Sequence, residues 1–379
     1  MRVLIANGLP WMGGAERWAL HAARGLAERG HAIGLAHHPA SELGVLGAEA
    51  GAAVLQWAPG PTGGAGRLAR AIAHGRFDVV VSTVRREHRA VGLAARLAGL
   101  PGSVARLMSG WAPDGRGTGS WRTARGWTHR QVVLLAAANS EAGRLEAVRR
   151  GLLPPGRVVA IRNGVDRVRF DPDRVSRGRF RAELGIPAHH LLVVSISRFV
   201  ERKGQAWELA ALGPLVAARP DVHVAFVGPC RVEERAWRAA LVRRAGGFPG
   251  AARIRFLEER SNVPEILADA DVLVRASLED GLANVILEAM AMRVPVVATA
   301  ICGTPEAVVD GSTGRLVPPR DPAALRRAVD ELLRAPASRR TALGMAGRER
   351  VVRLFSMQRM IDAYERLFDR AAWAARRGR

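Results

Sequence analysis

Lysine is almost absent from this chain of 379 residues, because Lys203 is its single lysine beside 56 arginines. A bias of this size is typical of a GC-rich genome that favours arginine codons wherever either cation serves. Lys203 lies in "SRFVERKGQ", where a hydrophobic strand is predicted to end and a helix to begin. The exception raises the hypothesis that this turn needs lysine itself.

Long apolar runs and cysteines are also scarce. No segment reaches about eighteen uncharged apolar residues, so no membrane-spanning helix is predicted. The first residues, "MRVLIANGLP", are typical of a buried strand rather than a signal peptide. The two cysteines, Cys230 and Cys302, lie far apart and outside metal-ligand spacings, so we expect reduced thiols without a role. Together these features predict a cytoplasmic protein.

Acidic residues are few relative to arginine, and the formal net charge is +22. Such a charge favours an anionic partner, which includes nucleic acid, an anionic membrane surface and an acidic glycan. The arginines are spread along the chain, and no nucleic-acid-binding signature is present. We therefore expect no nucleic acid partner and keep peripheral membrane binding as an alternative. An apolar content of 48% excludes disordered and collagen-like classes.

Strands rich in Val, Ile and Leu alternate with helical stretches, which predicts an α/β fold with parallel sheets. We expect one doubly wound domain over residues 1–170 and a second over 171–356. An amphipathic helix over 357–379 is expected to pack back on the first domain. The Pro-, Asp- and Arg-rich stretch 166–190 is predicted to be the linker. Ligands of open α/β sheets sit beyond the carboxyl ends of the strands, so a cleft between the domains is expected.

The turn around Lys203 is the first candidate site. Arg198 and Lys203 would flank a helix N-terminus, where free amides and the helix dipole favour an anion. Two added cations suit a diphosphate better than a single carboxylate. The alternative is a pair of solvated loop cations, which are common on protein surfaces.

A second candidate is "SLEDGLANVILEAMA", in which Asp280 and Glu288 lie eight residues apart. A helix that begins near Asn284 would carry Glu288 in its early turns, while Asp280 stays in the preceding loop. The loop acid would accept hydrogen bonds from sugar hydroxyls, and Glu288 would hold two vicinal hydroxyls of a ribose. The alternative is a surface helix acid and a turn former.

Two glycine-containing segments complete the set. In "GTPEAVVDGSTGRLVPPRDP", Gly303 and Glu306 start a short helix, and the run from a strand at 295–298 to Pro319 is predicted to be turns. In "GLPWMGGAE", Gly13 and Gly14 separate the first strand from the first helix. This segment lacks G-x-G-x-x-G spacing but allows close backbone approach to a phosphate or sugar.

Taken in order, these motifs resemble the retaining, nucleotide-sugar-dependent glycosyltransferases of family four, which have the GT-B fold of two Rossmann-like domains. "SRFVERKG" is similar to the family's G-R-L-x-x-x-K-G. "ASLEDGLANVILEAMA" is similar to its signature of two acids, and "ICGTPEAVVDGSTG" to its G-G-x-P-E segment. "GGAERWALHAARGLAERGHAI" and "RNGVDRVRF" also match. Nearly the whole chain is covered by the resemblance.

The resemblance implies transfer of a sugar from a nucleoside diphosphate to a glycan, lipid-linked or natural-product hydroxyl, with retained configuration and without a cofactor or essential metal. Arg198 and Lys203 would neutralise the departing diphosphate, and Asp280 would position the donor sugar. Other donor contacts would come from Gly13, Gly14, Gly281, Leu282, Ala283, Asn284, Glu288, Gly303, Thr304 and Glu306. A nucleotide-sugar isomerase or hydrolase and a basic nucleic-acid-binding protein remain the alternatives.

Some positions depart from the family pattern. Asp280 replaces the usual Glu, and Thr304 is taken as the second Gly of G-G-x-P-E, where its side chain would crowd the sugar pocket. The family's first-domain His falls at Ser109, which makes His88 the substitute candidate for a sugar contact. Trp111, in the Trp- and Arg-rich segment 110–130, is a further candidate for contact with a sugar acceptor or a membrane interface. The alternative is a loop and helix with Trp packed inward and Arg in water.

One sequence resembles a metal site without fitting this fold. The "DAD" at residues 269–271 is similar to the metal-binding D-x-D of the other glycosyltransferase fold. Here it opens a strand in a chain patterned for GT-B, so we expect no metal site.

Overall fold

The computed structural model describes residues 1–59, 64–108 and 129–377, which fold into two compact units. Unit 1 comprises Met1–Asn163 together with Met357–Arg379, and unit 2 comprises Gly164–Ser356. The chain thus leaves unit 1 once and returns to it for its last helix. The predicted domain limit after residue 170 falls inside unit 2.

Unit 1 is built on a parallel sheet, whose seven described strands are arranged in the order β3-β2-β1-β4-β5-β6-β7. Its central strands consist mostly of Val, Ile, Leu and Ala, which suits burial on both faces beneath helices. The strands are β1 (Arg2–Asn7), β2 (Ala32–His37), β3 (Ala53–Gln56), β4 (Val79–Ser82), β5 (Ser103–Leu107), β6 (Val133–Ala138) and β7 (Val158–Ala160). The helices are α1 (Gly14–Ala27), α2 (Leu43–Glu49), α3 (Gly64–His74), α4 (His88–Leu97), α5 (Glu141–Arg149) and the C-terminal α14 (Met357–Arg377).

Helix α14 packs on the core of unit 1 through one apolar face. The Tyr364 ring lies 4.8 Å from the ring of Trp18 on α1, measured between centroids. Arg29 and His31, at the end of α1, both bind Glu365, at 2.6 and 2.7 Å. Buried aromatic contact supplies the attraction, and the ion pairs fix the position of the helix along its axis.

Unit 2 has its own parallel sheet, with six described strands in the order β10-β9-β8-β11-β12-β13. Its strands are β8 (Leu191–Ile196), β9 (Val222–Val227), β10 (Ile254–Leu257), β11 (Val272–Arg275), β12 (Val296–Thr299) and β13 (Gly314–Val317). Its helices are α6 (Arg179–Glu183), α7 (Gln205–Ala218), α8 (Arg235–Gly246), α9 (Val263–Asp269), α10 (Asn284–Ala291), α11 (Thr304–Ala307), α12 (Pro322–Arg334) and α13 (Ala337–Leu354). The predicted α/β class with two doubly wound halves is confirmed.

The prediction that residues 166–190 form a linker is wrong. Phe170, Phe180 and Ile186 of this stretch are buried in the core of unit 2, and α6 lies within it. The stretch is rich in Pro, Asp and Arg, which favoured a linker, and its three buried apolar residues are too widely spaced to show a helical or strand periodicity. The stretch is therefore part of the folded unit.

Two elements were missed because their sequences are short and contain glycine. Strand β13 lies in the run predicted to be turns, and pairing with β12 stabilises it. Helix α2 contains Gly44, where a Cβ would come within 2.3 Å of the His37 ring. This glycine weakens the helical pattern but lets α2 approach β2 closely.

Each sheet reverses its strand order beside its first strand. In unit 1 the reversal lies between β1 and β4, and in unit 2 it lies between β8 and β11. Ligands of open α/β sheets bind beyond the carboxyl ends of the strands at such points. The residues that follow these four strands are therefore the first place to look for a site in each unit.

Candidate functional site

The turn after β8 is held against the end of β11 by a glycine. Gly204 has φ +79° and caps the N-terminus of α7, and a Cβ on it would lie 1.8 Å from the carbonyl oxygen of Ala276. No other residue fits both the left-handed backbone and this contact. The close approach brings Lys203, the residue before the glycine, to the loop that follows β11.

Lys203 meets a carboxylate there. Its Nζ donates to Oδ2 of Asp280 at 2.6 Å, and Nη2 of Arg275 donates to the same oxygen at 2.8 Å. The hydroxyl of Ser277 lies 3.3 Å from this oxygen as a third donor. The side chains of Lys203, Arg275 and Asp280 are 13%, 4% and 16% exposed, so the cluster is largely withdrawn from water.

Burial and charge act in opposite directions on these groups. Burial by itself would raise the pKa of Asp280, but the charges of Lys203 and Arg275 outweigh it and hold that pKa well below its usual range. Burial lowers the pKa of Lys203, and Arg275 and Arg202 lower it further against the favourable charge of Asp280. The resulting pKa of Lys203 is about 7, so below about pH 7 two cations share one carboxylate and the cluster carries excess positive charge.

Arg198 stands at the start of the same turn, where the sequence predicted it. Its Nε lies 3.1 Å from Oε1 of Glu234 without hydrogen-bond geometry, and the side chain is partly exposed. The Gln205 amide donates to Oγ of Ser197 at 2.9 Å and to the carbonyl of Arg198 at 2.7 Å. The turn that carries Arg198 and Lys203 is thus fixed from the first residue of α7.

The loop after Asp280 leads into α10, which begins at Asn284 as predicted. Leu282 and Ala283 belong to the apolar core of unit 2, so only their backbone groups are candidates for a ligand contact. Glu288 lies in the second turn and is half-buried. Gly281 is buried, and its carbonyl accepts from Gly303 N at 3.1 Å.

The hydrogen bond to Gly303 joins two of the predicted motifs. Beyond it, Thr304 and Glu306 lie in α11, and Arg350 of α13 donates to the Glu306 carbonyl at 2.8 Å. The expectation that Thr304 crowds the sugar pocket is not supported, because the residue is 3% exposed and buried in unit 2.

Counting back from Pro305 and Glu306 places the second glycine of G-G-x-P-E at Gly303 rather than at Thr304, and the first at Cys302. Cys302 has φ +43°, a left-handed conformation that favours glycine. Its thiol lies beside Asp280, and burial raises the pKa of the thiol. Cys302 is not recognisable as a site residue from sequence alone, because neither cysteine lies in a metal-ligand spacing.

Comparison with known proteins gives the family. The profile of the "Glycosyl transferases group 1" matches residues 190–335. The α-maltose-1-phosphate synthase of Mycolicibacterium smegmatis is 31% identical over 289 residues, which cover 70% of this chain and 73% of that relative. This chain belongs to the glycosyl transferases group 1.

Two further proteins are similar over different lengths. A GDP-mannose-dependent alpha-(1-6)-phosphatidylinositol monomannoside mannosyltransferase of the same organism is 39% identical over 194 residues. The match covers 49% of each chain, so this chain spans about half the length of that relative. Anabaena HepE, solved in complex with UDP-glucose, is 19% identical with a TM-score of 0.85, over 97% of this chain and 99% of HepE. The fold of this group 1 chain is therefore GT-B.

The candidate site residues of unit 1 lie in different environments. Gly13 caps the N-terminus of α1, and Gly14 has open space where a Cβ would be. His88 is 1% exposed, and its Nδ1 lies 2.8 Å from the Ser82 hydroxyl. Such an imidazole packs in the core, so we withdraw His88 as a sugar contact. Ser109 and Trp111 lie outside the described residues.

The "DAD" sequence has a structural role. Asp269 accepts from the backbone N–H groups of Phe180 and Arg181 at 2.8 and 3.0 Å. Asp271 accepts from Arg181 Nη2 at 2.6 Å and from Leu192 N at 2.8 Å. The two aspartates anchor the stretch 166–190 to the sheet. Across residues 1–59, 64–108 and 129–377, no group of three or more His, Cys, Asp or Glu could hold a metal ion.

Proposed function

We propose that this protein is a retaining glycosyltransferase that moves a sugar from a nucleoside-diphosphate sugar to an acceptor hydroxyl, with the donor bound on unit 2. The observation that carries the proposal is the surplus of buried positive charge at the carboxyl ends of β8 and β11, where Lys203 and Arg275 share the carboxylate of Asp280. A diphosphate is a ligand whose charge would balance this surplus.

The same charge suits the chemistry of glycosyl transfer. When the bond to the sugar breaks, negative charge develops on the departing diphosphate, and fixed cations at that point lower the barrier. Arg198 and Lys203 are assigned this role. Their positions before the N-terminus of α7 add the partial positive charge of the helix end. Together they would supply the charge that a divalent metal supplies elsewhere, so we propose metal-independent transfer.

The remaining donor contacts are assigned by position. Glu288, half-buried on α10, would hold the ribose hydroxyls. The backbone after Gly281 and the linked backbone of Gly303 would surround the sugar, with Glu306 on its far side. Asp280 keeps a part in positioning the donor, although its Oδ2 is already committed to the two cations.

The acceptor is proposed from chemistry and from relatives. Names such as phosphatidylinositol monomannoside mannosyltransferase support a lipid-linked or glycan hydroxyl. A net charge of +22 favours acceptors that carry acidic groups or lie at an anionic membrane surface. Helices among the described residues include none that is long and apolar enough to cross a bilayer.

The test begins with donor binding. The protein is heated with each of a panel of GDP-, UDP- and ADP-sugars, and its unfolding temperature is recorded. A true donor at about 100 times its dissociation constant stabilises the folded protein by about 2.7 kcal/mol and raises the midpoint. The stabilising donor is then incubated with glycan, lipid-linked and small-molecule acceptors, and the product's anomeric configuration is read by NMR.

Variants of Lys203 test whether this residue stabilises the departing diphosphate. Lys203→Ala should lower turnover by about 100- to 1,000-fold, because one charge-stabilising contact is worth about that factor. Lys203→Arg should keep donor binding and lose rate, since a planar fork cannot follow an oxygen as a flexible ammonium does. Arg326→Ala, an exposed arginine on α12, is the matched control. If no nucleotide sugar shifts the midpoint, or Lys203→Ala turns over normally, the proposal fails. Donor consumption without acceptor would indicate a hydrolase.

A further inference from the structure

The proposed function does not use Arg275, although this arginine lies at the centre of the cluster. It is the last residue of β11 and is 4% exposed. Leu273, two residues earlier on the same face of the strand, belongs to the apolar core of unit 2. Arg275 therefore occupies a core-facing position where an apolar side chain is expected.

A buried guanidinium is costly unless it is paired and hydrogen-bonded. Arg275 Nη2 binds Asp280 Oδ2 at 2.8 Å, and Nη1 lies 3.5 Å from the Ile196 carbonyl. Its Nε is buried without a hydrogen-bond partner. The carboxylate of Asp280 is thus its hydrogen-bonded partner, and this partner is shared with Lys203. A second buried acid, Glu208, accepts from Ala276 N at 2.8 Å and interacts with Arg275 through its charge.

The two cations differ in freedom. Arg275 is held by the backbone of a central strand, whereas Lys203 lies in a turn and carries its ammonium on a flexible stem. We propose that Arg275 is a positioning residue that serves as the permanent counter-ion of Asp280. With Asp280 neutralised by Arg275, Lys203 is free to exchange its carboxylate partner for the diphosphate of the donor.

This inference takes the identity of the anion from the proposed function. The coupling of Lys203, Arg275 and Asp280 does not depend on the proposed function. Without Arg275, Lys203 would be the one remaining cation of the pair that hydrogen-bonds Asp280, since Arg202 acts on Asp280 through its charge. The departure of Lys203 would then leave a buried carboxylate without an ion-paired hydrogen bond. Lys203 would then stay on Asp280, and the diphosphate would leave without its ammonium. A loss of rate with little change in donor affinity follows.

The single lysine allows a direct measurement. Protein grown with ¹³Cε-labelled lysine gives one side-chain signal, that of Lys203, and its pH titration needs no activity. In Arg275→Met the Lys203 pKa should rise by at least about one unit, since a neighbouring positive charge has been removed. Arg275→Lys would add a second lysine signal, so that variant is compared by its kinetics alone. Addition of UDP or GDP should move the wild-type signal and move that of Arg275→Met much less.

Kinetics provide the second readout. Arg275→Met should lower kcat by about tenfold or more, and Arg275→Lys should recover most of that loss. In Arg275→Met/Asp280→Asn the carboxylate that traps Lys203 is gone, so kcat should return to the level of Asp280→Asn alone, a non-additivity expected of coupled groups.

The outcomes separate two failures. An unchanged Lys203 titration in folded Arg275→Met would overturn the role of Arg275, as would additive losses in the double variant. If the titration shifts as expected but neither UDP nor GDP moves the wild-type signal, the coupling stands and the proposed donor is wrong. A fall in unfolding temperature with wild-type titration and nucleotide response would make Arg275 a packing residue, contrary to the inference.

Discussion

The two units place different charged groups at the same point of the same architecture. Where the strand order reverses in unit 2, Lys203 and Arg275 share the carboxylate of Asp280. At the corresponding point in unit 1, two acids, Glu16 and Glu87, are 1% and 0% exposed. Each unit also buries one charge of the other sign nearby, since Arg106 acts on Glu16 and Glu208 acts on Arg275. The architecture positions a site in each unit, and the side chains decide what it attracts.

Each acid of unit 1 accepts a hydrogen bond from the end of β1 or the residue that follows it. Asn7, the last residue of β1, donates its side-chain amide to Glu16 Oε1 at 2.7 Å. The backbone N–H of Gly8 donates to Glu87 Oε2 at 3.0 Å. These donors belong to the same loop, so the acids order the entry to α1. In unit 2, Lys203 and Arg275 share a single carboxylate oxygen, Oδ2 of Asp280, which favours a further anion at this point.

The largest effect on stability is expected at Asp280. Asp280→Asn leaves Arg275 and Lys203 buried without their counter-ion, which should lower the free energy of unfolding by about 3–5 kcal/mol. Because the pKa of Asp280 is lowered in the folded state, its stabilising contribution is complete at neutral pH and is lost only in strong acid. Urea unfolding at neutral pH measures the difference.

Asp173→Asn is the matched control for this change. Asp173 forms an exposed ion pair with Arg293, and such pairs contribute little because water and salt screen them. Equal losses in the two variants would show that the cluster of unit 2 is an ordinary surface ion pair, and the contrast between the units would disappear.

A second prediction concerns the acid of unit 1. Burial, with a smaller contribution from Glu16, raises the pKa of Glu87 from 4.5 to about 7. The folded protein therefore holds a proton that the unfolded chain releases, so stability falls as the pH rises from about 4.5 to about 7. Glu87→Gln keeps an acceptor for Gly8 N–H and removes this loss, which amounts to at most about 3 kcal/mol.

Unfolding midpoints at about pH 4.5 and about pH 8 test the sign. The variant should gain on the wild type at the higher pH, while exposed Glu49→Gln should track the wild type at both. A Glu87→Gln protein that loses stability at about pH 8 would show that the ionised carboxylate of Glu87 is needed, as that of Asp280 is.

The smallest effect is expected at Cys302. A donor bound at the carboxyl end of β11 would cover this exposed thiol beside Asp280. In a Cys230→Ser background, the stabilising nucleotide sugar should slow alkylation of Cys302 several-fold, as measured by mass spectrometry. Because burial raises the pKa of the thiol, the rate should climb steeply with pH. If a donor stabilises the protein but leaves the alkylation rate of Cys302 unchanged, the donor does not bind at the Lys203–Arg275–Asp280 cluster.

Much of the candidate site was accessible from local patterns. The strand before Arg198, the turn that carries Lys203 and the start of α10 at Asn284 all followed from hydrophobic periodicity and glycine positions. The roles assigned to these residues stay predictions until the variants are measured. Arg275 was missed because "VLVR" is typical of a buried strand that reaches solvent at its end, and nothing local shows that the guanidinium stays inside.

Sequence by itself determined that the chain folds as two parallel α/β halves, because alternating apolar strands and amphipathic helices are local properties. The presence of a single lysine also identified Lys203 as a candidate site residue from the sequence alone. Tertiary structure alone decided that Lys203, Arg275 and Asp280 meet on one oxygen, that residues 166–190 belong to a core, and that Cys302 has a glycine's backbone conformation. Such contacts depend on distances between strands far apart in the chain, and no local pattern encodes those distances.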